Sequence, residues 1–263
     1  MEKGILYIVA TPIGNLEDIT LRALNVLKEV DLIACEDTRH TGMLLKHFEI
    51  KKPMVSYFQH SKLSKVEYII EQLLNGKNIA LVTDAGTPGI SDPGQALIWK
   101  IRELSSIKKP VSSNSTTPIP LLAKEENPKN PLLIEEGQGV VDEIRIIPIP
   151  GASALIAAAS ISGMIEKEFY FAGFLPKKKG RQTEFKRISS LVVPIIIYES
   201  ANRLERTLED IKAYFGTGAE VFIAREITKM FEEYWNGSVE ELLSTLSEHQ
   251  LKGEIVLIVK QSK

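Results

Sequence analysis

The 263-residue sequence has a single cysteine, Cys35, which excludes an internal disulfide framework and a cysteine-rich metal site and fits a reducing compartment. Histidine is scarce as well. His47, His60 and His249 share no metal-ligand spacing with each other or with Cys35, so no metal is expected. Charge of one sign is not in excess: 32 basic residues face 34 acidic ones for a net charge of −2. The chain is therefore no polycation, and any basic, nucleic-acid-binding surface must be local. Long apolar runs are missing too, with nothing near the roughly 18 residues a membrane span needs. The apolar opening from Ile5 to Ala10 is too short for a signal peptide and leads straight into a turn. The expectation is a cytoplasmic protein with no membrane partner.

Short apolar runs of strand length are plentiful. They fall at Ile5 to Ala10, Leu32 to Cys35, Ile79 to Thr83, Ile144 to Ile149, Phe169 to Phe174, Val193 to Tyr198, Glu220 to Ala224 and Glu254 to Val259. Between them, Leu21 to Lys28, Val66 to Leu74, Asn202 to Phe215 and Val239 to Leu246 carry helical periodicity, and Thr20 and Ser238 stand where N-caps belong. Such alternation predicts an α/β protein with mostly parallel sheets and crossover helices, whose ligands sit beyond the carboxyl ends of the strands.

The strand-end loops carry the chemistry. Thr83-Asp84-Ala85-Gly86-Thr87-Pro88-Gly89-Ile90-Ser91-Asp92-Pro93-Gly94 combines glycines that let backbone approach a ligand with prolines that stiffen the path. It is neither a P-loop nor a dinucleotide fingerprint. An ordinary strand-to-helix connection, with Asp92 capping the next helix, is the plainer alternative. The loop around Pro12 follows the first strand in the same way, and two such loops that meet would make a cleft. Glu36, Asp37, Thr38, Arg39 and His40 follow another strand, where paired carboxylates can create a general base and Arg39 can hold a phosphate. The alternative there is an N-cap with a local ion pair. Ser153 and Ala154 open a small-residue helix, and His60 sits among aromatic and hydroxyl residues that could stack on a base.

Two segments stand apart. Residues from about 105 to 139 hold five prolines and little periodicity, which reads as an exposed excursion. Lys177, Lys178, Lys179, Arg181, Lys186 and Arg187 crowd six basic side chains into eleven positions after a strand, favouring contact with a nucleic-acid backbone over a merely solvated helix face.

Six motifs together carry a resemblance: Val9-Ala-Thr-Pro-Ile-Gly-Asn-Leu-Glu-Asp-Ile-Thr20, Cys35-Glu-Asp-Thr-Arg-His40, Val82 through Gly94, Pro148-Ile-Pro-Gly-Ala-Ser-Ala154, Tyr198-Glu-Ser-Ala-Asn-Arg203 and Ala224-Arg-Glu-Ile-Thr-Lys229. Spanning residues 5 to about 259 in order, they resemble the tetrapyrrole-methylase-fold enzymes and, within them, bacterial enzymes that methylate ribose 2′-oxygens of small-subunit ribosomal RNA. The resemblance implies a two-domain S-adenosylmethionine-dependent methyltransferase, residues 1–165 and 166–263, with the cofactor in the interdomain cleft and a homodimer as the working form. It places Pro12, Asp84, Gly86, Thr87, Ile90, Ser153 and Ala154 on the cofactor from the first domain, and Tyr198, Ala224, Arg225 and Gly253 from the second. The implied partner is 16S rRNA or the small ribosomal subunit, at cytidine 1402 of the decoding centre. The sequence stops soon after Val259, without the carboxyl-terminal helical extension that some family members carry; if such an extension helps hold RNA, other surfaces are expected to suffice here.

On that reading a ribose 2′-oxygen attacks the sulfonium methyl in line. Glu36 or Asp37 is the candidate base, Arg39 holds phosphate, and Lys177, Lys178, Lys179 and Arg181 hold the RNA. Methylation of a tetrapyrrole or a protein side chain is the alternative on the same fold. A noncatalytic RNA-binding module is the alternative from another class.

Overall fold

The computed structural model describes residues 2–58, 63–92, 94–106, 143–248 and 252–261. The sequence features at His60, at His249 and over most of the 105–139 excursion lie outside the described residues.

In chain order the elements are β1 (Ile5–Val9), α1 (Leu21–Glu29), β2 (Leu32–Cys35), α2 (Thr38–His47), β3 (Met54–Ser56), α3 (Leu63–Leu74), β4 (Ile79–Val82), α4 (Gly94–Ser106), β5 (Arg145–Ile149), α5 (Ala154–Ile161), β6 (Tyr170–Phe174), α6 (Arg181–Ser189), β7 (Ile195–Ser200), α7 (Leu204–Phe215), β8 (Glu220–Arg225), β9 (Glu233–Ser238), α8 (Val239–Thr245) and β10 (Glu254–Lys260). Each strand read from the sequence is present within two residues at either end. Thr20 caps α1 by accepting from the Ala23 N–H, and Ser238 forms a reciprocal capping box with Glu241 at α8.

The strands form two five-stranded sheets. The first has the order β3-β2-β4-β1-β5 and is parallel throughout. Its central strands β2 and β4 are buried at every position, as a sheet covered on both faces requires. Alternation along β1 sends Leu6 and Ile8 toward α3 and α4, while Val9, Ile33 and Val82 pack with α1 and Leu45 of α2. Pro148 is tolerated in β5 because that strand is an edge, paired only to β1.

The second sheet has the order β6-β7-β10-β8-β9. Here only β6–β7 is parallel; β7–β10, β10–β8 and β8–β9 are antiparallel. Parallel pairing thus prevails overall, five of eight pairings among the described residues, but the second sheet departs from the expected pattern. For β8–β9 the physical reason is a short link between the two strands, which only an antiparallel pair can use; β10 enters between β7 and β8 antiparallel to both.

Period-two alternation in β7 decides how the halves meet. Ile195 and Ile197 pack under α6, α7 and α8, whereas Ile196 faces the opposite side with Phe222, Ala224, Val256 and Ile258. That opposite face is closed by Leu155 and Ala158 of α5 and by Ile13 of the loop after β1. A loop and a helix of the first half therefore share one apolar cluster with the second sheet, and burying each of its large side chains contributes about 1.5–3 kcal/mol.

Candidate active site

The loops after β1 and β4 do meet. Thr11 N–H donates to the Gly86 carbonyl at 2.9 Å and Gly86 N–H returns the bond to Thr11 at 3.0 Å, a two-residue antiparallel bridge outside any strand. Gly86 holds φ of +86°, in the left-handed region where a side chain would be strained. The Thr11 hydroxyl reinforces the bridge by donating to the Thr83 carbonyl at 3.0 Å. Farther along, Asp92 Oδ1 accepts from Gly89 N–H at 2.7 Å and Gly94 N–H at 3.1 Å, so the capping role of Asp92 is real and shapes the whole turn.

Two further bonds draw in the other elements. Thr87 Oγ1 donates to the Ala152 carbonyl at 3.0 Å, joining the β4 loop to the start of α5. Leu155 N–H, in the first turn of α5 where the helix itself offers no acceptor, donates to the Tyr198 hydroxyl of β7 at 3.0 Å. Burial raises the Tyr198 phenol above its ordinary value of 10.0, so it stays protonated.

These contacts enclose a cavity of about 510 Å³, within the range of small-molecule sites. Asp84, Gly86, Thr87 and Ile90 line it from the β4 loop, Ser153 and Ala154 from α5, and Tyr198 and Ala224 from the second sheet. Glu36 lines it too, its Oε2 accepting the Thr83 hydroxyl at 3.1 Å. Sequence reasoning passed over Ile13, Phe174, Ile227, Glu254 and Val256, which also line it. All but Val256, which is inside β10, lie at a strand end or in the loop that follows one, and that position was the available signal.

A second cavity of about 670 Å³ adjoins the first. Pro12 and Asp37 line this one, together with His40, and Thr83, Asp84 and Ala85 belong to both. Arg225 and Gly253 line neither. The Arg225 side chain is a correction to the cofactor set: it is buried, with Nε donating to Glu233 Oε2 at 3.0 Å and Nη1 to the Lys252 carbonyl at 2.9 Å. It holds the β8–β9 edge.

Asp37 and Arg39 fulfil the plainer reading of their cluster. Asp37 is the N-cap of α2, accepting from Arg39 N–H at 2.8 Å, and its carboxylate is paired with the Arg39 guanidinium at 2.6 Å. Hydrogen bonds from Arg39 hold the Asp37 carboxyl down at about 2, which makes it a poor proton acceptor. As a general base Asp37 is therefore corrected, while Arg39 stays largely solvent-exposed.

Of the proposed RNA contacts, Lys177, Lys178 and Lys179 are exposed. Arg181 is not. Its side chain is 3% exposed and bonded to Asp210, Thr207 and the Pro176 carbonyl, so it is corrected from an RNA ligand to an internal tie. The one cysteine is fully buried in β2, and burial pushes its thiol up. Among the described residues, no group of three or more His, Cys, Asp or Glu could hold a metal ion, and no helix is long and apolar enough to cross a membrane.

Comparison with known proteins agrees with this architecture. The sequence matches the family Tetrapyrrole (Corrin/Porphyrin) Methylases over residues 5–107 and 133–243. It is 40% identical over 257 residues to ribosomal RNA small subunit methyltransferase I of Synechocystis, covering 97% of this chain and 78% of that protein. The protein of the same description from Escherichia coli O157:H7 is 42% identical over 99% of this chain and 79% of its own length. Among solved structures, uroporphyrin-III C-methyltransferase from Thermus thermophilus, complexed with S-adenosylhomocysteine, superposes with a TM-score of 0.59 at 12% identity, covering 98% of each chain. That last likeness shows a shared fold, while the near-full-length identities reach further. The chain belongs to the tetrapyrrole methylase family, S-adenosylmethionine-dependent methyltransferases, and within it groups with the small-subunit ribosomal RNA methyltransferase I proteins.

Proposed function

We propose that this protein methylates the 2′-oxygen of a ribose in 16S rRNA, at the cytidine numbered 1402, acting in the cytoplasm as a homodimer. The observation that carries the reading is identity of about 40% sustained over nearly the whole chain with proteins named for small-subunit ribosomal RNA methylation. The division into domains at residues 1–165 and 166–263 fits the two sheets, with the 510 Å³ cavity between them.

The cavity suits S-adenosylmethionine in its chemistry. Ile13, Ile90, Ala224 and Val256 offer apolar walls for a purine, the glycine-rich β4 loop exposes backbone at close range, and the Glu36 and Asp84 carboxylates complement a cationic centre. When bound, that molecule supplies an activated methyl group on a sulfonium. Asp84, Gly86, Thr87, Ile90, Ser153, Ala154, Tyr198 and Ala224 are the residues proposed to hold it, with Pro12 reaching it from the adjoining cavity and Gly253 through its neighbour Glu254 in the wall. The protein's own task is then alignment, which can supply roughly 7–11 kcal/mol in favourable cases. Lys177, Lys178 and Lys179, exposed and a few residues beyond the cavity residue Phe174, are the side chains we assign to an RNA backbone.

The test uses labelled S-adenosylmethionine and small ribosomal subunits lacking this modification. Label in 16S rRNA at a 2′-O-methyl nucleotide, recognised by resistance of the adjoining phosphodiester to alkali, is the expected result. Label on a base, or none in RNA from protein that binds the cofactor, overturns the reading.

A further inference from the structure

Beyond that assignment, and resting on it, lies the question of where the ribose proton goes. We infer that His40, beside Asp84 at the seam between the two cavities, is the proton acceptor for the 2′-hydroxyl, and that the second cavity receives the acceptor nucleotide.

Placement comes first. Asp84 leaves the end of β4 and lines both cavities. Its Oδ1 accepts the Asp37 N–H at 3.2 Å, which fixes the carboxylate against the first turn of α2. His40 stands three residues beyond Asp37 in that turn, lines the second cavity, and presents Nδ1 3.8 Å from the same Asp84 oxygen. A carboxylate beside one ring nitrogen favours the tautomer with its hydrogen there and leaves Nε2 free to accept a proton. The imidazole is half exposed, so an entering ribose can reach it.

The other ionisable groups around it are already committed. Asp37 is bound to Arg39, whose guanidinium is the neighbouring cation on the helix of His40. Glu36 accepts the Thr83 hydroxyl and lines the first cavity. From the second half, Lys229 and Glu254 line the same cavity as His40, with the Lys229 ammonium held 2.9 Å from both Glu226 and Glu254. Lys229 is thereby kept charged, its pKa raised by those two carboxylates against the opposing effect of burial. Imidazole is the side-chain type that general acid–base catalysis most often uses to take a proton.

The balance closes within the site. As the 2′-oxygen bonds to the methyl carbon, the carbon–sulfur bond breaks with its electron pair left on sulfur, and the hydroxyl proton passes to His40 Nε2. Sulfur loses its positive charge and the imidazole gains one, stabilised by Asp84.

Two measurements test this. The first follows the His40 ring nitrogens by nitrogen-15 NMR of the protein alone, in wild type and Asp84→Asn. The wild type should carry its ring hydrogen on Nδ1 and Asp84→Asn should lose that preference, whereas the same tautomer mixture in both overturns the proposed pairing. The second compares wild type, His40→Gln and His40→Ala on small subunits. Both variants should lose about 100-fold or more in kcat and the ascending limb of the pH–rate profile, in line with loss of a general base. Their affinity for S-adenosylhomocysteine and their KM for the subunit should stay within a few-fold. Variants with wild-type kcat and pH profile overturn the role of His40 and leave the ribose assignment standing. A wild type that transfers no methyl to RNA overturns both.

Discussion

Arg181 and Glu199 lie on different elements, α6 and β7, and are joined through one hydroxyl: Arg181 Nη2 donates to Thr207 Oγ1 at 2.9 Å, and that oxygen donates to Glu199 Oε2 at 2.8 Å. Asp210 takes the Nε of the same arginine at 2.7 Å, and Arg203 adds a second cation 3.1 Å from Glu199. Both arginines also hold the chain leading to the basic loop, Arg203 through the Leu175 carbonyl and Arg181 through that of Pro176. Removing Arg181 strands Glu199 and Thr207, both buried. Arg181→Ala should therefore destabilise the protein by about 3–5 kcal/mol, the usual cost of breaking a buried pair. Urea unfolding monitored by circular dichroism reads this directly, and a drop in stability below about 1 kcal/mol would contradict the assigned role.

The exposed lysines should behave differently. Replacing Lys177, Lys178 and Lys179 together by alanine should weaken RNA binding, and the slope of log affinity against log salt should fall by about 0.7–0.9 for each phosphate that is no longer neutralised. Binding of S-adenosylhomocysteine, measured by calorimetry, should be unchanged. Equal salt slopes for variant and wild type would remove this loop from the RNA surface.

Gly253 occupies φ of +94°, and a Cβ there would come within 2.3 Å of the Glu226 carboxyl. Glu226 accepts from Glu254 N–H at 2.9 Å and from Lys229 at 2.9 Å, beside the walls of both cavities. Gly253→Ala should cost about 1–2 kcal/mol from the backbone alone and weaken S-adenosylhomocysteine binding as Glu226 is displaced. Thermal melting with and without ligand checks both expectations.

Acid should act through Asp37. Its folded pKa is about 2 against an ordinary 3.8, lowered first by the Arg39 side chain and next by the Arg39 backbone N–H. A depressed carboxylate contributes stability that is complete above its unfolded value and is lost as pH falls through the folded one. The advantage of wild type over Asp37→Asn should accordingly be flat above about pH 4 and shrink between 3.8 and about 2. A difference that does not vary across that window would rule out the ion pair in solution.

Much of this molecule was legible in the sequence because its strands are short apolar runs ending in polar turns, and a sheet covered on both faces demands such runs. β3 and β9 escaped for the same reason. Met54–Ser56 is only three residues long, and Glu233–Ser238 is a polar edge strand with little alternating apolar content. The helix α2 was hidden behind its charged first turn, where acids and arginine looked catalytic but mostly serve as a cap. Arg181 misled for a related reason: a run of basic residues does not reveal which one turns inward, and its carboxylate partners Glu199 and Asp210 lie far along the chain. The meeting of Thr11 with Gly86 was foreseeable from two loops at neighbouring strand ends. The second cavity was not, because His40 and Asp84 are brought together only by the pairing of β2 with β4.

The place of β10 in its sheet has a consequence for how the protein assembles. This strand is the last element described, yet it lies between β7 and β8 and pairs with both. As the polypeptide emerges during synthesis, the first sheet can close once β5 is available, but the second remains two separate pieces, β6–β7 and β8–β9, until residues 254–260 appear. Glu254 and Val256 of this same strand line the cofactor cavity. Insertion of that one strand thus joins the two pieces of the second sheet and adds its part of the cleft wall.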